Sequence, residues 1–125
     1  MKEHFKGEKM KKKQKVKKQA NLTIDILGTP YEIVFTNKEE NDKLEDANGV
    51  AELFSKRLVV ELCKPTRKTF EKLEEHNKKV IRHEMVHAFL HESGLQDYSR
   101  DEVLTSWIAL QIPKMVIAMK QAKAI

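Results

Sequence analysis

The stretch Val80–Leu95, VIRHEMVHAFLHESGL, decides how the rest of the chain is read. Val80, Ile81, Met85, Ala88 and Phe89, with Phe70 and Leu73 before them, recur near a 3.6-residue period among lysines and glutamates. That pattern predicts an amphipathic helix, and Gly94 supplies the residue that ends one. Residues four apart stack on one helical face, so the ring nitrogens of His83 and His87 can converge on one ion about 2 Å from each. Glu84 is rotated from His83 by about 100° and addresses the space beside the ion. The order H-E-x-x-H thus separates two metal donors from one proton carrier. A chance pair of surface histidines is the alternative, and the amphipathic setting of the motif argues against it.

Upstream, the period changes from 3.6 to 2. In NLTIDIL, Leu22, Ile24 and Ile26 alternate with polar residues; after a turn at Gly28–Pro30, YEIVFT alternates with Tyr31, Ile33 and Phe35 on one side. This predicts a hairpin. Residues 37–48 form a polar loop, and Asn48-Gly49 opens a second strand pair, VAELF and RLVVEL, about a turn at Ser55-Lys56. Downstream, a helix from near Ser99 is expected to bury Val103, Leu104, Trp107, Ile108 and Leu110. Pro113 then stops or kinks it before a last short helix, KMVIAMKQAKAI. Strands first and helices after predict an α+β fold: a small three- to four-stranded antiparallel sheet, then a site helix and a packed C-terminal helix.

Charge is unevenly spread. Residues 1–19 hold nine lysines and two glutamates, whereas the full chain is only +5, so the rest of the chain is slightly acidic. We expect a disordered lysine-rich tail at 1–19 and a single domain at 20–125. Such a tail can neutralise nucleic-acid phosphates, but it lacks arginines, so a solvated leader is the simpler reading. One cysteine, Cys63, excludes an internal disulfide framework. No run of about 20 apolar residues and no secretory signal stands out, so a cytoplasmic protein without a membrane partner is expected.

A metal held by two histidines needs a third protein donor, and three residues compete for the place. His91 lies on the same helix about 12 Å along the axis from His83, too far to share an ion. Asp101 and Glu102 start the next helix, where the chain has turned back. Glu102 has a rival role in the S-x-x-E capping box from Ser99, yet it borders the apolar face more closely than Asp101 does.

A small sheet followed by VIRHEMVHAFLHESGL resembles the minimal zincin metallopeptidases, and DEVLTSWIALQIP resembles the helix that follows the motif in ImmA/IrrE-like peptidases. The resemblance spans roughly residues 49–113. Aligning LQIP with that family's helix ending implies Glu102 as the ligand. Val86 stands where the family usually has glycine, and the backing helix before its sheet has no counterpart here unless the lysine-rich tail forms it. SprT-type peptidases are the second resemblance, but their downstream histidine ligand is missing, since no histidine follows His91. The small phage-encoded proteins of this kind imply a phage or prophage origin and a host cytoplasm.

The expected activity is zinc-dependent hydrolysis of a peptide bond in a cytosolic protein substrate. His83, His87 and Glu102 would hold Zn2+, and Glu84 would activate the attacking water. The strand RLVVE is a candidate for pairing with an extended substrate, and His91 and Tyr98 are weaker candidates for stabilising an oxyanion. The alternative is a non-catalytic protein, either zinc-stabilised for interaction or binding nucleic acid through residues 1–19. Glu84 argues for the enzyme, because a structural zinc site has no use for an acid beside an open position. Oligomeric state is left open.

Overall fold

The computed structural model describes residues 20–45, 47–62 and 73–125; the lysine-rich segment, Cys63 and Phe70 lie outside them. Four strands come first: β1 (Leu22–Ile26), β2 (Thr29–Thr36), β3 (Gly49–Glu52) and β4 (Arg57–Glu61). Among the described residues three helices follow: α1 (Leu73–Glu92), the short α2 (Gln96–Ser99) and α3 (Glu102–Gln121). The α+β expectation is borne out.

β1 and β2 form the expected hairpin, with Ile26 opposite Thr29, but the turn is Leu27-Gly28 and Pro30 already belongs to β2. Both turn residues have positive φ, +52° and +91°, the conformation that matches the twist of a two-residue hairpin. The sheet order is β1-β2-β4-β3, and here the structure departs from an all-antiparallel sheet: β2 and β4 run parallel, Glu32 opposite Arg57. A parallel pair needs a crossover, and residues 37–48 together with β3 provide it. Within that segment a 3-10 turn, Asp42–Leu44, packs against β3 and β4 and buries Leu44.

Alternation puts Tyr31, Ile33 and Phe35 of β2 and Leu58 and Val60 of β4 on one face, all buried, where they meet Val80 and Ala88 of α1. Each such side chain contributes about 1.5–3 kcal/mol by leaving water. The face fixes the height and rotation of α1 over the sheet, and so the direction in which its histidines point.

α3 corrects two expectations. It is one continuous helix with Pro113 inside it, not two. Proline has no N–H to give to the carbonyl four residues back, which is that of Ala109. Arg82 Nε of α1 donates to the Ala109 carbonyl instead, at 2.8 Å, so the helix keeps its course with the missing bond replaced from outside. The buried face also differs: Thr105 and Ala109 are buried, whereas Val103, Trp107 and Leu110 are exposed. Small residues let α3 approach α1 closely. By length and composition α3 is also apolar enough to cross a membrane, which the sequence reading did not anticipate.

Candidate metal centre

α1 presents His83, Glu84 and His87 within one turn, and their potential ligand atoms lie within 4.8 Å of one another. His83 Nε2 and His87 Nε2 are 3.2 Å apart. Chain reversal through α2 brings the first residue of α3 to the same point. Glu102 Oε2 lies 2.9 Å from His83 Nε2, and Glu102 Oε1 lies 3.1 Å from His87 Nε2.

These spacings suit a shared ion. Donors about 2.0–2.2 Å from a tetrahedral ion stand roughly 3.3 Å from each other. The tautomer of His87 agrees. Its Nδ1 sits against the Ser99 carbonyl, which can only accept, so Nδ1 carries a hydrogen and Nε2 is the ring nitrogen turned toward His83 and Glu102. Ser99 is buried and returns the contact, its Oγ donating to the His87 carbonyl at 2.8 Å. Ser106 Oγ lies 3.5 Å from His83 Nδ1, a long contact on the outer side of that ring. The residues present fit a small divalent ion held by two imidazoles and a carboxylate, the donor set of a catalytic zinc site.

The rivals for the third position are placed elsewhere. Asp101 is the N-cap of α3, and its Oδ1 accepts from Leu104 N at 3.1 Å. The capping box read from Ser99 therefore does not form; Ser99 is turned to His87 and Asp101 takes the cap. His91 lies a further turn along α1, about 6 Å beyond His87 on the axis.

Glu84 is buried. Burial, and then the neighbouring Glu102 carboxylate, push its carboxyl up to about 8. It occupies a gap left by Gly49 of β3: a Cβ at that position would lie 2.7 Å from Glu84 Oε2. Asn48-Gly49 reads as a turn signal in the sequence, and its contact with a residue 35 positions on has no local signature.

A cleft of about 650 Å³ opens over these groups. One wall is Gly49, Val50 and Ala51 of β3; the other holds His83, Glu84, His87 and Glu102, with Lys79 and Arg100 at the margins. RLVVE is not the wall: β4 lies between β2 and β3, and β3 is the strand at the sheet's edge. The Asn48 carbonyl accepts from Glu61 N at 2.8 Å, so alternation aims the backbone groups of Gly49 and Ala51 away from β4. Neither His91 nor Tyr98 lines the cleft. No family model, no curated protein and no solved structure matches the chain.

Proposed function

We propose that the protein is a zinc-dependent metallopeptidase, of the minimal zincin kind that its sequence resembles. The carrying observation is the convergence of His83, His87 and Glu102 at one point, with Glu84 beside them at the floor of an open cleft. His83, His87 and Glu102 would hold the metal, which when bound polarises a carbonyl and acidifies water. Glu84 takes the proton from the attacking water and returns it to the leaving amine. The open edge of β3 receives an extended peptide by backbone pairing, which brings a carbonyl across the floor of the cleft. Its substrate is a protein or peptide segment able to lie extended, in the cytoplasm.

The test is the metal content of the purified full chain, paired with cleavage of an unfolded protein substrate such as casein, for parent and Glu84→Gln. Parent protein should carry about one zinc per chain and cleave; Glu84→Gln should keep the zinc and lose cleavage by a factor of about 100 or more, the scale of a lost general base. Equal cleavage by Glu84→Gln removes Glu84 from the role of base. Loss of zinc in that variant makes Glu84 a ligand and the site one of another type.

A further inference from the structure

The face of α3 turned away from α1 carries exposed apolar residues along most of its length, with Lys114 set among them. Val103, Trp107, Leu110 and Ile117 are 82%, 52%, 43% and 59% exposed. At 100° per residue these four lie within about 80° of one another around the axis, and Val103, Leu110 and Ile117 repeat at intervals of seven, the seam of a paired helix. Past Pro113, Lys114–Gln121 includes no buried residue, yet remains helical. A free helical end of two turns gains little stability by itself, and packing normally supplies it. Among the described residues nothing covers this face. The segments outside them, 1–19 and 63–72, are lysine-rich and poor in apolar residues, so they match it badly.

Charge selects the occupant. α3 begins with Asp101 and Glu102 and carries Lys114 and Lys120 toward its end. Laid parallel on a second copy, Lys114 would face Lys114. Laid antiparallel about Leu110, Val103 falls opposite Ile117, Lys114 comes alongside the ring of Trp107, and Lys120 lies on the same flank as Glu102 of the other copy. The surface is complementary to itself in one direction only, which is what a two-fold interface requires.

We propose that two copies of this chain pair through α3, antiparallel, with the two-fold axis at Leu110. The interface would run beside the candidate metal centre, since Glu102 precedes Val103, without depending on the function of that centre.

Sedimentation velocity on the full chain should give a concentration-dependent species of twice 14.6 kDa. Leu110→Asp, which sets two like charges face to face at the axis, should weaken it by about tenfold or more. Oxidative cross-linking in a Cys63→Ser background reads the register without adding charge. Leu110→Cys should link to itself, and Val103→Cys should link to Ile117→Cys in a mixture while neither links alone. A chain monomeric at every concentration overturns the proposal, as does a dimer indifferent to Leu110→Asp. Self-linking of Val103→Cys overturns the antiparallel pairing. Uptake of monomer by phosphatidylcholine vesicles, without a dimer in solution, assigns the face to lipid and overturns it as well.

Discussion

At Gly49 an added methyl group would lie 2.7 Å from Glu84 Oε2 and 3.0 Å from Val80 Cγ1. The first is too short to hold and the second is tight, so Gly49→Ala must displace the Glu84 side chain or lift β3 from α1. His83, His87 and Glu102, the proposed donors, are not among the groups nearest that methyl and should stay in place. Gly49→Ala should therefore keep its zinc while cleavage falls about tenfold or more, read from metal content and turnover on one preparation. Glu102→Ala should do the reverse of Glu84→Gln and release the metal. Asp101→Ala should keep the metal and cost only about 1 kcal/mol of stability through the lost cap. Zinc retained in Glu102→Ala but lost in Asp101→Ala would transfer the ligand to Asp101. The histidine pair and Glu84 were legible because their spacing is local. Ser99 was legible only as a cap, since its bonds to His87 depend on how the chain reverses between α1 and α3.

The joint between α1 and α3 can be tested as an element. If Arg82 replaces the bond that Pro113 removes, Arg82→Met leaves the Ala109 carbonyl unpaired and costs about 1–3 kcal/mol. In a Pro113→Ala background the alanine N–H can serve that carbonyl, and the same change should cost less than half as much. A double-mutant cycle by urea denaturation measures the coupling; additive losses would show that the two features are independent. This pairing explains why the sequence pattern split the helix at Pro113: the compensating donor comes from 31 residues away. The buried face of α3 departs from the expected one for a related reason. Large apolar residues were assigned to the core, but close helix packing selected Thr105 and Ala109, leaving Val103 and Trp107 outside. The alternation of Tyr31, Ile33 and Phe35 was read correctly because a two-sided strand with one buried face leaves a period-2 trace. Parallel pairing of β2 with β4 leaves none.

Across the whole molecule, Glu92 fastens the end of α1 to both strand pairs. Its carboxylate accepts from Thr29 Oγ1 at 3.1 Å, from Tyr31 OH at 2.6 Å and from Lys56 Nζ at 2.7 Å. The Lys56 and Tyr31 bonds hold its carboxyl down at about 2, against an ordinary 4.5. A carboxyl lowered on folding contributes stability that is complete above its unfolded value and is lost as pH falls from about 4.5 to about 2. Thermal melts through that window should show a steeper loss for the parent than for Glu92→Gln, and equal slopes would remove Glu92 from the acid response. The distances along the chain carry one more consequence, in time rather than in space. His83 and Glu102 are 19 positions apart, whereas Glu92 must find Thr29 across 63. Short loops close sooner and at less entropic cost than long ones. His83, His87 and Glu102 can therefore gather before α1 is fastened to the sheet through Glu92, so an ion held by them would act on the helical hairpin ahead of that docking step.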